Sequence, residues 1–231
     1  MKATAVVPVV ADATTLAAAS LTSERTLVLH EALVPLVPDG ALVRGRSIVC
    51  AGVTATSVAL ALTTQAVQAG AWLAVVGVPW LGVEAAAELG VPLERLVRID
   101  PDPIAGRRRG EVWAELMAAA LDGFELIVTC VPSATGVALV RKVQQRMQAR
   151  GAVVVTIGDT ETWPGDVTIR AHRARWEGVA DGHGCLRARR VELEASGRRV
   201  PRARRTELWL PGPGSAIEAV PAAPTELRPT G

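Results

Sequence analysis

The chain has few aromatic residues, and this scarcity limits what it can bind. Phenylalanine, tryptophan and tyrosine make up 3% of its 231 residues, with six tryptophans, one phenylalanine and no tyrosine. Proteins that bind single-stranded nucleic acid by stacking present several aromatic side chains to successive bases. The composition therefore argues against a stacking platform. We interpret the tryptophans as anchors of a core or an interface.

Cysteine is scarce as well, and long apolar runs are missing. The three cysteines, Cys50, Cys130 and Cys185, form no CxxC pair. An odd number without such a pair suits a reducing compartment and offers neither a disulfide framework nor a zinc-ligand spacing. No uninterrupted apolar stretch reaches the roughly 20 residues that cross a bilayer, and we expect no secretory signal. We therefore expect a cytoplasmic protein with no metal and no membrane partner.

Lysine is nearly absent, since 23 of the 25 basic residues are arginine, and the net charge is only +2. Residues 170 to 205 nevertheless carry 11 basic and 4 acidic residues. This band is either a surface for phosphates or an acidic partner, or a solvated face on edge strands, where charge discourages aggregation. Its members are Arg170, Arg173, Arg175, Arg187, Arg189, Arg190, Arg198, Arg199, Arg202, Arg204 and Arg205.

The content of apolar residues, 49%, excludes disorder along the whole length and is sufficient for one large domain or two small ones. We divide the chain into an N-terminal segment (1–40), a core (41–210) and a tail (211–231). The tail begins with Pro-Gly-Pro-Gly and contains three further prolines, so it is predicted to be disordered.

Apolar runs alternate with helical patterns that end at glycine. Such an alternation predicts an α/β fold with a mostly parallel sheet flanked by helices. After residue 166 the pattern changes to successive strands with glycine-rich turns, which we expect to form antiparallel C-terminal edge strands. The predicted strands are 46–51, 72–78, 96–99, 125–131, 152–157, 166–176, 185–195 and 205–210. The predicted helices are 58–69, 84–89, 111–121 and 137–149.

The first strand and helix stand where a nucleotide-binding protein places its phosphate loop, GxxxxGK[ST]. The turn at Gly52 lacks the second glycine and the lysine, and Thr54 and Ala55 stand near their places. Without the lysine, no charge neutralises a terminal phosphate. We interpret Thr56 and Ser57 as N-terminal caps of the helix that begins at Val58.

The next two strands also end without an acid. The strand 72–78 leads to Pro79, where a carboxylate would polarise a water, and the strand 125–131 contains Cys130, where magnesium would need an oxygen ligand. Phosphoryl transfer uses a cation, a metal ligand and a base, and this degenerate site lacks all three. We therefore predict no catalytic residue, no cofactor and no ATP hydrolysis.

The order of these pieces resembles the RecA core over about residues 30 to 211. GRSIVCAG, TSVALAL, WLAVVGVPWLGVEAAAELG, GFELIVTCVPSA and DVTIRAHRARW occupy its strands and helices in order. The stretch from Arg175-Trp176-Glu177-Gly178 through GHG and LRARRVE to LWLP is similar to actinobacterial ImuA-type accessory proteins of mutagenic DNA repair.

The resemblance implies a catalytically silent RecA-like subunit of a damage-induced complex for translesion synthesis. Its partners would be a catalytically inactive Y-family polymerase homologue of the ImuB type and, through it, an error-prone C-family DNA polymerase. DNA contact and self-association are left open. The loops at residues 131–135 and 158–165 are short where RecA has long DNA-contacting loops, so strand exchange is not inherited.

Two other functions remain possible from the sequence. One is a cell-division inhibitor that shares this degenerate RecA core and binds the tubulin-like division protein. The other is a true DNA-dependent ATPase, in which an arginine supplied by a neighbouring molecule replaces the lysine.

Overall fold

The computed structural model describes residues 25–101, 107–180, 183–214 and 216–220. Its strands are β1 (Thr26–Leu27), β2 (Leu42–Val43), β3 (Ser47–Gly52), β4 (Leu73–Val76), β5 (Leu96–Ile99), β6 (Leu126–Thr129), β7 (Val153–Ile157), β8 (Val167–Ala180), β9 (His183–Ser196), β10 (Arg204–Trp209) and β11 (Glu218–Ala219). Its α-helices are α1 (Ala55–Gln68), α2 (Val83–Glu88), α3 (Arg109–Gly123) and α4 (Val137–Arg150), and short 3-10 helices occupy Glu31–Leu33 and Leu93–Arg95.

Nine strands form one sheet in the order β11-β10-β9-β8-β3-β7-β6-β4-β5. The pairs from β8 to β5 are parallel, whereas β9, β10 and β11 add in antiparallel fashion. Parallel neighbours need long crossover connections, which the helices supply. The prediction of a mostly parallel sheet flanked by helices, with antiparallel C-terminal edge strands, is confirmed.

Alternate residues of the central strands face two separate cores. In β3, Ile48 and Cys50 belong to one core and Val49 to the other. Residues of α1 and α2 lie in the first core, and residues of α3 and α4 in the second. Because both faces are covered, these strands are apolar without polar alternation. The second core also contains Trp113 and Trp163, whose rings meet edge to face at 6.4 Å.

The N-terminal boundary differs from the expected one. Strands β1 and β2 pair in a separate two-stranded sheet, and between them Leu33 and Leu36 are fully buried in the first core. Residues 25–40 thus belong to the core unit, because their leucines cover the face of the sheet beside α1. Residues 1–24 lie outside the described part of the chain.

The predicted boundary of the tail, at residue 211, also lies too early in the chain. Strand β11 pairs with β10, and Ile217 is buried in the first core together with Leu210. The prolines and glycines at 211–214 precede β11, so the chain returns to the sheet after them. Residues 221–231 lie outside the described part. Among the described helices, none combines the length and apolarity needed to cross a membrane.

Candidate functional site

The carboxyl ends of β3, β4, β6 and β7 meet at one edge of the sheet, the place where open α/β sheets bind ligands. Strand β3 ends at Gly52, and α1 begins at Ala55, so only Val53 and Thr54 separate them. The amide of Val58 donates to the carbonyl of Thr54 at 3.0 Å and closes the first helical turn. This connection is too short to surround a phosphate as GxxxxGK[ST] does.

The predicted capping residues are wrong. Thr54 is the N-cap of α1, and no side chain caps the helix by a hydrogen bond. Thr56 and Ser57 lie inside the first turn, because the helix begins three residues earlier than its apolar pattern at Val58 indicates. The Thr54 hydroxyl is buried without a hydrogen-bond partner among the described residues.

Gly52 serves packing at this turn. Its φ of +92° is a backbone conformation that residues with a side chain rarely adopt. A Cβ built on Gly52 would lie 2.2 Å from the carbonyl oxygen of Ala171 in β8. Glycine is therefore required because two backbones approach each other closely. In other proteins a glycine at this position begins a phosphate loop. In this chain it allows β3 to pair closely with β8.

The position after β4 carries a backbone carbonyl and an indole ring where a hydrolase would carry an acid. The carbonyl of Pro79 accepts a hydrogen bond from Arg98 at 2.9 Å. Trp80 is 56% exposed, and its Nε1 lies 3.4 Å from the hydroxyl oxygen of Thr56 in the first turn of α1. Two acids also lie along this edge: Asp100 after β5, which forms an ion pair with Arg98 at 2.7 Å, and Asp159 after β7.

At the end of β6, the side chains of Thr129 and Cys130 are not free to act as a metal ligand or a base. The hydroxyl of Thr129 is buried, accepts from Nε1 of Trp113 at 2.9 Å and donates to the carbonyl of Val76 at 2.8 Å. Burial raises the pKa of the Cys130 thiol, so it stays protonated at neutral pH. In the described ranges, no group of three or more His, Cys, Asp or Glu side chains is placed to hold a metal ion.

A pocket of about 520 Å³ opens beside this end, and its lining includes Trp80, Cys130, Arg107 and Arg109. Arg107 is engaged by Glu115, to which its Nη1 donates at 2.9 Å. The pocket therefore offers apolar surface and guanidinium groups. It also contains the carboxylate of Asp100, which is paired with Arg98 at 2.7 Å.

The eleven arginines of the basic band do not form one patch. Strand β9 is 14 residues long, about 45 Å at roughly 3.3 Å per residue. One group of arginines lies on or beside the N-terminal half of β9, and the other group lies near the C-terminal end of β9. The first group is Arg173, Arg175, Arg187, Arg189 and Arg190, and the second is Arg170, Arg198, Arg199, Arg202, Arg204 and Arg205.

Acids neutralise much of the second group. Asp166 precedes β8 and lies 3.0 Å from Arg198 and 3.8 Å from Arg199. Glu194 in β9 accepts a hydrogen bond from Arg205 in the neighbouring β10 at 2.7 Å. These guanidinium groups already have carboxylate partners, so they attract phosphate less than the charge count predicts.

The remaining members of the second group are mixed. Arg204 donates to the carbonyls of Pro35 and Val37 at 3.3 and 3.2 Å and so ties β10 to the N-terminal leucine segment. Arg170 lies opposite a glutamate across the β8–β9 pair. Arg202 is exposed and has no hydrogen bond or ion pair with another described residue.

Two arginines of the first group are used inside the fold. Arg189 lies over the ring of Trp176 at 5.0 Å and donates to the carbonyl of Leu210 at 2.7 Å. Burial lowers its pKa. Arg190 lies over the ring of Trp209 at 5.7 Å, and its Nε is 2.8 Å from Glu207. Charge reversal at these two positions would therefore disturb the sheet itself.

Sequence reasoning missed the acids that balance the band. Glu192 and Glu194 alternate with Val191 and Leu193 in β9, and Glu207 lies across the pair from Glu192. The alternation VELEA was a usable signal, because charged residues two apart on a strand share one face. This face of β8, β9 and β10 is polar and of mixed charge.

The chain is thus an α/β protein with a mostly parallel sheet, in which the turn after β3 lacks the phosphate-loop lysine and the positions after β4 and β6 hold Pro79 and Cys130. Residues 35–165 match the family model described as the MT3502 N-terminal domain. The match covers more than half of the chain, which therefore belongs to this family. It ends just before β8, so the long β8–β9 hairpin lies beyond it. No curated protein is significantly similar to the chain.

Proposed function

We propose that the chain is a non-catalytic, RecA-like accessory subunit of damage-induced mutagenic translesion synthesis. It binds a Y-family polymerase homologue of the ImuB type and, through that protein, serves an error-prone C-family DNA polymerase. The proposal combines the resemblance of the GHG and LRARRVE region to ImuA-type proteins with the chemistry of the sheet edge.

The observation that carries the proposal is the state of the edge formed by β3, β4 and β6. Gly52 is committed to packing against Ala171, Pro79 replaces an acid, and Cys130 is a protonated thiol. Phosphoryl transfer depends on cations and positioned oxygen ligands, and the places of the phosphate-loop lysine and of the two acids hold Ala55, Pro79 and Cys130. A scaffold that is fully packed and yet lacks this chemistry acts through its surfaces.

The strand order supports a RecA-like core. Strand β3, followed directly by α1, lies between β7 and β8 in the middle of the sheet. Helix α1 covers one face of the sheet, and α3 and α4 cover the other. Strands that follow β3 in sequence lie on both sides of it in the sheet. In such sheets the ligand crevice lies outside the carboxyl ends of the strands at this position. The degenerate loop at Gly52 to Ser57 occupies that position.

Co-expression with the Y-family polymerase homologue tests the proposal. We expect the two full-length proteins to co-purify at equimolar ratio through affinity and size-exclusion steps. An active Y-family polymerase and the tubulin-like division protein serve as matched baits. Binding to the division protein alone would support a cell-division inhibitor and contradict the proposal.

Nucleotide turnover provides the second test. We expect no phosphate release above background with ATP, magnesium and single- or double-stranded DNA, because Pro79 and Cys130 stand where the acids of an ATPase would be. A P-loop ATPase assayed in parallel shows that the conditions permit turnover. DNA-stimulated hydrolysis that co-elutes with the chain would favour the ATPase alternative.

A further inference from the structure

The outer half of the β8–β9 hairpin projects beyond the rest of the sheet. Strand β3 pairs with β8 only as far as Ala171, and β10 pairs with β9 only as far as Arg190, with two further backbone bonds at Arg189. From the pair Glu177–Ala188 outward, the described residues of the two strands pair only with each other. We name residues 172–180 of β8 and 183–188 of β9 the distal ribbon.

The distal ribbon has a defined backbone shape, although most of its described side chains are exposed. Between the pairs Glu177–Ala188 and Val179–Gly184, β9 has three residues where β8 has only Gly178. Gly178 has a φ of +103°, and a Cβ on it would lie 2.3 Å from the carbonyl oxygen of Cys185. An isolated two-stranded ribbon is marginally stable. A defined bulge in such a segment indicates a role in contact.

Large apolar side chains are exposed on the distal ribbon. Trp176 is 42% exposed and Leu186, within the three-residue bulge, is 57% exposed. The indole is held in place by Arg189, which is itself fixed by its bond to the carbonyl of Leu210. Tryptophan and arginine dominate interaction hot spots. A ring that is already immobilised loses less entropy on binding.

The distal ribbon also has unbalanced positive charge. Arg173, Arg175 and Arg187 are exposed, and none forms an ion pair with another residue in the described ranges. Arg175 lies directly opposite Arg190 across the strand pair. Like charges in this position are destabilising. Arg190 is already paired with Glu207 at 2.8 Å, so Arg175 and Arg187 remain available to a negatively charged partner.

We propose that the distal ribbon is the docking surface for an acidic segment with apolar side chains on the protein partner. The inference rests on the proposed function, because that partner is the Y-family polymerase homologue. A protein is favoured over DNA because the exposed indole and leucine need apolar complements.

The native cysteines allow the contact to be mapped on the unaltered chain. Cys185 is exposed in the bulge, Cys50 is buried, and Cys130 is half-buried. We expect N-ethylmaleimide to modify Cys185 at least tenfold more slowly in the purified complex than in the free chain, measured by peptide mass. A Cys185→Ser variant identifies the signal. Equal rates in the two states would overturn the docking assignment.

Variants test the energetic contribution of the surface. We expect Leu186→Asp, and separately Arg175→Glu with Arg187→Glu, to weaken binding to the homologue at least tenfold in calorimetry. Leu93→Asp and Arg202→Glu are the controls, because both residues are exposed outside the distal ribbon. Thermal unfolding of each variant shows that it is folded.

The outcomes separate the two proposals. If the unaltered chain does not bind the homologue, the proposed function fails and the docking assignment fails with it. If it binds and the ribbon variants bind equally well, only the docking assignment fails. The assignment is likewise overturned if the ribbon variants lose only retardation of duplex DNA at low salt, or only self-association in sedimentation.

Discussion

Replacing Gly52 by alanine tests the conclusion that this glycine serves packing. The new Cβ would lie 2.2 Å from the carbonyl oxygen of Ala171, a distance that folded proteins do not show, so β3 and β8 must separate by about 1 Å. The left-handed conformation costs about 1–2 kcal/mol, and losing one or two backbone hydrogen bonds adds about 1 kcal/mol each. We expect the free energy of unfolding to fall by about 3 kcal/mol.

Urea unfolding followed by tryptophan fluorescence measures this change. With a denaturant slope of about 3 kcal/mol per molar, the midpoint falls by about 1 M. Gly70→Ala is the matched control, because Gly70 has a φ of +110° and a Cβ added there would meet no atom within 4 Å. It should lose only the conformational part, about 1–2 kcal/mol. Equal losses in the two variants would refute the close-approach argument.

Three further predictions concern buried and charged groups. Thr129→Val leaves the Trp113 indole N–H without its acceptor, and we expect a loss of about 1–3 kcal/mol in thermal unfolding. The hydrogen bond from Arg146 lowers the pKa of Asp122, so its stabilisation is complete above the usual carboxyl pKa and is lost as the pH falls through the lowered value. The unfolding midpoint of Asp122→Asn should therefore fall less than that of the unaltered chain as the pH is lowered. Iodoacetamide at pH 7 should modify Cys185 first and the buried Cys50 only on unfolding, as followed by intact mass.

The regular elements could be predicted because their signals are local. The apolar run of β6 and the glycine that ends α4 lie within a few residues of what they specify. The predicted helix 137–149 is α4 at Val137–Arg150, and the predicted strand 96–99 coincides with β5. Glycine after a helical pattern is a strong stop signal, since it adopts the left-handed conformation easily. Gly151 has a φ of +67°.

The candidate site was less predictable because it depends on contacts between distant segments. The pairing of Arg205 with Glu194 follows from the strand register, and that of Arg198 with Asp166 follows from the turn after β9. Neither is visible in a charge count. The predicted start of α1 was also wrong, because three residues with little apolar periodicity precede Val58 and only the backbone geometry shows that they are helical.

The central position of β3 has a consequence for synthesis of the protein. Ser47 pairs with Val154, and Ile48 pairs with Val167, so both neighbours of this apolar strand are made more than 100 residues after it. On the ribosome, β3 therefore stays without its sheet neighbours while more than 100 further residues are made, and pairing over such a separation is slow. During that interval the strand is exposed to aggregation. Shielding by a chaperone should matter more for this chain than for one whose central strand is made last.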